Sequence, residues 1–278
     1  MTKPITRLEE TPPILYKYRY FDQSGFHLRT LQNTELWFSS ARYFDDPFDS
    51  SLHFDLSGLH SDLAVQWAQD FLSREFAHLP TTERNRLAEK RLQEIRSDPH
   101  HTDWFNNHII RTNYNKFGIC SLTPFRQSLL MWAHYADHHK GFCVGINMSA
   151  TVDIQNERAR HSDLIDLHKV DYAEEMPQMN FFQSMLSGNG ENDLMTLITT
   201  KSRDWIYEQE YRLIRWDNAD SSISIGCAAL AEVILGCRIS SDNRDRILSI
   251  VQNNGIHIPV YQAYQEDFRF SLRLEHIN

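Results

Sequence analysis

The stretch Phe117–Asn147, FGICSLTPFRQSLLMWAHYADHHKGFCVGIN, changes its hydrophobic period twice, which leaves few local folds open to it. Phe117–Leu122 is an apolar run of strand length. Thr123 and Pro124 then read as a helix cap followed by a first-turn proline. Over Gln127–His139, Leu129, Trp132 and Ala136 fall on one stripe, with Met131 and Tyr135 beside it. His138, His139 and Lys140 occupy the expected last turn, where cations favour the negative end of the helix dipole, and Gly141 is the stop. Phe142–Ile146 returns as a strand. The prediction is a strand–helix–strand unit with Trp, His, Tyr, Asp and Lys gathered near one end.

Around this unit the chain alternates between strand and helix signals. Ile14–Tyr20 places Ile14, Tyr16, Tyr18 and Tyr20 on one strand face and Leu15, Lys17 and Arg19 on the other. Two cations on one face read as a solvated surface or as the lining of an anion-binding cleft. Glu35–Ser40 suits a strand, Asp62–Arg96 and Trp104–Tyr114 suit helices, and His168–Ala173 suits a strand. Leu194–Ser202 reads as helical, and Ser240–Asn253 is a helix with Ser-Ser-Asp at its cap. Phe268–Leu274 alternates as a closing edge strand. The expected fold is α+β, a mixed or antiparallel central sheet with flanking helices. Residues 1–13 form a lead-in, and 14–278 a single domain with 60–115 as a helical insertion.

At 278 residues with a net charge of −9, the chain offers no broad electrostatic attraction to nucleic acid or to an anionic membrane. No stretch approaches the ~20 apolar residues of a membrane span, and the first residues hold no apolar signal core. The four cysteines, Cys120, Cys143, Cys227 and Cys237, form no CxxC pair and suit reduced thiols. A cytoplasmic protein is therefore expected.

Three groups of residues carry chemistry. Asp45, Asp46 and Asp49 crowd a proline turn; they read as turn caps, or as metal ligands with His134 in a phosphodiesterase or nuclease. His134 and His138, four apart, read as dipole partners or as a metal pair. Lys201–Trp216, KSRDWIYEQEYRLIRW, read as a strand, puts Glu208, Glu210, Arg212 and Ile214 on one face. Glu210 and Arg212 are then a surface ion pair, or a catalytic carboxylate held by its arginine. No Walker loop, GxGxxG, GxSxG or HExxH occurs.

The opening LYKYR, then TLQNTELWFSSARYFDDPFD, GICSLT, LLMWAHYADHHKGFCVGI and WIYEQEYRLIR, resemble a bacterial family described as domain of unknown function 2971. The resemblance runs from about residue 14 to 215 and implies no established activity. A more distant resemblance is to ADP-ribosyltransferases, which cleave the nicotinamide–ribose bond of NAD. It rests on Arg19 in an early strand, Ser39 in a second, and Glu208-Gln209-Glu210 in a late one. It implies Glu210, Glu208 and His134 as catalytic residues and Tyr18, Arg19, Ser39, Trp132 and Tyr135 as the NAD-binding set. A protein side chain, a nucleic-acid base or water would be the acceptor. The expectation from a different class is a non-catalytic module of a bacterial defence or toxin–antitoxin system. There the Trp132–Lys140 end would recognise a protein partner.

Overall fold

Strand β1 (Ile14–Arg19) has hydrogen-bonded neighbours on both sides, so it joins segments that are distant in sequence. The computed structural model describes residues 10–114, 116–151 and 165–277. The 1–13 lead-in and the polar stretch after Ser149 lie largely outside these residues. The described residues separate into two compact units, one built from 41–116 with 171–203, the other from the remainder.

The first unit is mostly helical. It holds β3 (Phe54–Asp55), α2 (Asp62–Glu75), α3 (Thr81–Ser97) and α4 (Pro99–Tyr114). The later segment adds β7 (Asp171–Ala173), β8 (Met179–Asn180), α6 (Phe181–Ser187), α7 (Gly190–Ile198) and β9 (Thr200–Ser202). Ser61 caps α2 by accepting from the Leu63 amide. Trp67 of α2 meets the rings of Phe71, Phe105, Phe181 and Phe182 at 5.3–5.6 Å, so an aromatic cluster ties the two segments together. The helical reading of 60–115 agrees with α2–α4. No sequence pattern signals that 171–203 joins them. Leu194–Ser202 also divides: the helix ends at Ile198, and Thr200–Ser202 pairs in parallel with β7.

The second unit contains a five-stranded mixed sheet in the order β1, β5 (Phe142–Asn147), β12 (Leu230–Leu235), β13 (Val260–Gln265), β14 (Leu272–His276). Only β12 and β13 run parallel. A three-stranded antiparallel sheet consists of β4 (Phe117–Leu122), β10 (Tyr211–Trp216) and β6 (Ile165–Lys169). β2 (Glu35–Phe38) pairs with β11 (Ser221–Ser224). Tyr16 exchanges both backbone hydrogen bonds with Thr123, which links the five-stranded sheet to the end of β4. Alternation then sorts the core in two. Leu15, Val144 and Val233 face Cys120, Leu213 and Phe38 between the sheets. Tyr16, Tyr18, Cys143 and Ile234 face α5 (Leu129–Tyr135) on the other side. α1 (Arg29–Gln32) and α8 (Ser241–Asn253) complete the unit, and Ser240 caps α8 through the Asn243 amide. The α+β class with a mixed sheet is as the sequence predicts.

The central stretch departs from its sequence reading at both helix ends. The helix starts after Ser128, whose hydroxyl accepts from the Met131 amide, because Thr123 is already engaged by β1. It stops at Tyr135 rather than His139. Asp137, His138 and His139 instead run left-handed, at φ 42°, 52° and 69°. Two glycines receive this turn. A Cβ on Gly141 would lie 2.0 Å from the Arg19 carbonyl oxygen, and one on Gly236 would lie 2.1 Å from that of His139.

Candidate functional site

Residues 203–210 are not a strand. Arg203–Glu208 is a 3-10 turn, Gln209 is left-handed at φ 44°, and β10 begins only at Tyr211. The physical reason is local hydrogen bonding. The Gln209 amide and side chain both donate to the Ile206 carbonyl, while the Thr123 hydroxyl donates to the Glu208 carbonyl at 2.6 Å. Glu208 and Glu210 therefore do not sit in register along a strand face. Glu210 instead turns onto Arg212 in a bidentate pair, Nε to Oε1 at 2.8 Å and a terminal nitrogen to Oε2 at 3.0 Å. The two side chains are 3% and 0% exposed, so the pair is enclosed rather than on the surface.

Glu208, also buried, accepts a hydrogen bond from the Tyr135 hydroxyl at the end of α5. Burial, followed by the Glu208 charge, pushes the Tyr135 phenol far above its ordinary value. Lys17 approaches from β1, its ammonium donating to the Ser121 carbonyl at 2.7 Å. Burial, aided by the Arg19 charge and opposed by Cys120, Glu210 and Glu208, lowers its pKa to about 8. Lys17 thus holds its proton less tightly folded than unfolded. Between pH about 8 and the ordinary lysine value of 10.5 the unfolded chain binds more protons, so this group makes stability rise with pH. Tyr16, Tyr18 and Tyr135, kept protonated by the fold, act oppositely above pH ~10. Urea unfolding of wild type and Lys17→Met from pH 8 to 10 checks this. Wild type should gain on the order of 1–2 kcal/mol more than the variant over that interval.

The neighbours of Tyr135 and Glu208 in the chain bring three rings together from two segments. His134 lies 6.0 Å from Tyr207 and 6.3 Å from Trp205, and the last two are 6.0 Å apart. His134 and Ile206 are exposed, and Trp205 and Tyr207 are half-buried. Sequence reasoning points to His134 but misses Trp205 and Tyr207. A signal for them exists: two aromatic residues immediately before a pair of acids.

The other residues expected at the site lie elsewhere or serve the core. Tyr18 and Trp132 are 5% and 0% exposed and meet edge to face at 5.1 Å, so their rings are packing groups. Tyr18 donates to the Phe125 carbonyl and Trp132 to that of Arg126. Ser39 bridges Ile119 through its backbone, and its hydroxyl donates to the Ser40 carbonyl. Arg19 lines a small cleft with Phe26, Arg29, Glu35, Trp37 and Ser222, a lining that includes neither His134 nor Glu210. Burial lowers its pKa, and its Nε makes no hydrogen bond among the described residues. The structure thus brings Tyr135, Glu208, Glu210 and Lys17 together, and Tyr18 with Trp132.

The metal reading finds no ligand set. Asp46 accepts from the Phe48 amide as a turn cap, and Asp49 pairs with Lys201 at 3.2 Å, both in the helical unit. His134 and His138 are both exposed. Among the described residues no three of His, Cys, Asp and Glu are grouped to hold a metal. Cys120 and Cys143 are buried free thiols, and burial raises the Cys143 pKa. Cys227 is an exposed free thiol.

A family model described as protein of unknown function (DUF2971) matches residues 131–213. That span opens in α5 and closes just past Arg212, so it contains the ring cluster and both buried acids. No curated protein and no solved structure matches the chain. Nothing in these comparisons supports the resemblance to ADP-ribosyltransferases. Among the described residues, no helix is long and apolar enough to cross a membrane.

Sequence reasoning misses a further buried carboxylate. Glu232, in the apolar run of β12, accepts from the Tyr16 hydroxyl at 2.9 Å and from Arg126 at 3.0 and 3.1 Å. Gly145 makes room for it, since a Cβ there would lie 3.0 Å from the Glu232 Cγ. A lone acid inside an apolar strand is the available signal.

Proposed function

We propose that the second unit is a ligand-binding module whose recognition surface is the His134–Trp205–Tyr207 cluster. One observation carries this reading: His134 is exposed and Trp205 and Tyr207 are half-buried, while both glutamates are committed to internal partners. A carboxylate that stabilises charge in a reaction needs a face open to substrate, and the Glu210 oxygens are both turned to Arg212. Accessible rings suit a planar heteroaromatic ligand, and stacking on such a surface contributes about 1–3 kcal/mol per base. NAD carries two planar ring systems where ATP carries one, which makes it the first nucleotide to test.

Cleavage of NAD is the second reading, favoured by the Tyr135–Glu208 contact beside Lys17. Titration of the purified chain with NAD and ATP, followed by tryptophan fluorescence and by nicotinamide release, separates the two. Binding should be saturable, preferring NAD, and weakened about tenfold or more by Trp205→Ala or His134→Ala. Release of nicotinamide that Glu208→Gln abolishes would establish the enzymatic reading instead. Absence of nucleotide binding would sink both and leave a protein partner for this surface.

A further inference from the structure

The far edge of the five-stranded sheet presents the outer side of β14. β14 is its last strand, and the ladder to β13 fixes which of its backbone groups are used. The Ile277 amide donates to the Val260 carbonyl and the Glu266 amide to that of Ser271. In this register Tyr264 lies opposite Arg273 and Gln262 opposite Glu275, so residues 271, 273, 275 and 277 address β13. Leu272, Leu274 and His276 therefore direct their backbone groups away from the sheet, where the Leu272 carbonyl accepts from the Gln127 side-chain amide. Among the described residues no strand takes them up. An open edge of this kind is a template for another strand.

We propose that the occupant is a second copy of this chain, joined antiparallel about a two-fold axis at Leu274. That axis fixes the register. Leu274 meets Leu274 of the second copy as a hydrogen-bonded pair, and Leu272 meets His276, whose amide displaces the Gln127 side chain from the Leu272 carbonyl. On the other face Arg273 lies directly opposite Glu275, and Glu275 opposite Arg273. Within one chain these two exposed side chains already form an ion pair, at 53% and 45% exposure. Opposite charges facing each other across strands stabilise the pairing, and the arrangement is self-complementary as a two-fold interface requires.

A second feature fits the same register. The β13–β14 hairpin carries Phe268 and Phe270, 106% and 100% exposed, far more than a large apolar ring ordinarily is. Antiparallel pairing carries this tip past the end of the other copy's β14. An open, mainly apolar groove lies there, lined by Leu248, Val251, Ile256, Ile258, Pro259 and Ile277. Each copy thus presents a pair of rings to the groove of the other. A seated phenylalanine buries about 150–250 Å², and four of them bring a two-strand junction towards the ~1,200–2,000 Å² of a stable interface. The result is a ten-stranded sheet running through two copies.

Sedimentation equilibrium of the full chain at micromolar concentration tests this independently of any ligand. A dimer is expected. Leu274→Pro removes a donor that points away from β13, so the monomer should keep its circular dichroism while dimerisation is lost. Arg273→Glu and Glu275→Arg should each weaken self-association about tenfold or more, since each places like charges opposite one another twice. Mixing those two variants should restore a heterodimer, because one chain then presents two acids and the other two bases. Phe268→Ser with Phe270→Ser should also weaken the dimer without unfolding the monomer. A monomeric wild type overturns the proposal, as does a dimer indifferent to Leu274→Pro or a variant mixture that fails to associate.

Discussion

Arg212→Ala should lower the unfolding free energy by about 3–5 kcal/mol, because it takes the guanidinium from a buried ion pair and leaves the Glu210 carboxylate in the protein interior. The pair is enclosed, with Arg212 0% and Glu210 3% exposed, so water cannot replace the missing guanidinium. The bidentate geometry means that both carboxylate oxygens lose a partner at once. The double variant Glu210→Gln, Arg212→Met should recover most of the loss, since it removes both charges and keeps the volume. Urea unfolding at neutral pH reads both effects. A cost below about 1 kcal/mol for Arg212→Ala would mean that the pair behaves as a solvated surface pair, contrary to its burial.

Trp132→Ala should cost a similar amount, about 3–5 kcal/mol. The ring is fully buried, meets Tyr18 edge to face at 5.1 Å, and stacks on His139 at 6.2 Å. Its indole N–H also satisfies the Arg126 carbonyl at 3.1 Å. Trp132→Phe keeps much of the volume but leaves that carbonyl without its donor, so a smaller cost of about 1–3 kcal/mol is expected. A second readout separates packing from a general loss of fold. Burial, followed by the Arg238 charge, holds the His139 pKa below its ordinary value. Opening the space beside it in Trp132→Ala should raise that pKa, as followed by imidazole resonances in a pH titration. An unchanged His139 would mean that its surroundings do not depend on the indole.

The parts of the fold legible in the sequence are those whose pattern and hydrogen bonding are both local. β4, β5 and β1 are apolar or alternating runs, and α8 announces itself through Ser240 and an apolar stripe. The failures occur where a distant partner decides. Thr123 resembles a helix cap, and its hydroxyl does accept from the Phe125 amide, but its backbone is taken by Tyr16 and the helix starts only after Ser128. Tyr207–Glu210 alternates well enough for a strand, yet Gln209 closes a turn onto Ile206. The candidate site shows the same division. Glu208, Glu210 and His134 stand out by residue type and spacing. Their partners, Tyr135 for Glu208 and Arg212 for Glu210, depend on turns that no periodicity encodes.

The placement of β1 also bears on how this chain acquires its structure. Its first strand lies opposite the strand that ends at Asn147, and the neighbour beyond that strand is β12, with Ile146 opposite Leu230. Such pairings close long loops before they return any stabilisation, and folding rates fall as contacts become more distant in sequence. During synthesis β1 would wait, with its apolar face uncovered, until β5 had left the ribosome, and the two together would then wait for β12. Slow folding and a need for chaperone protection of nascent chains are the expected consequences of this strand order.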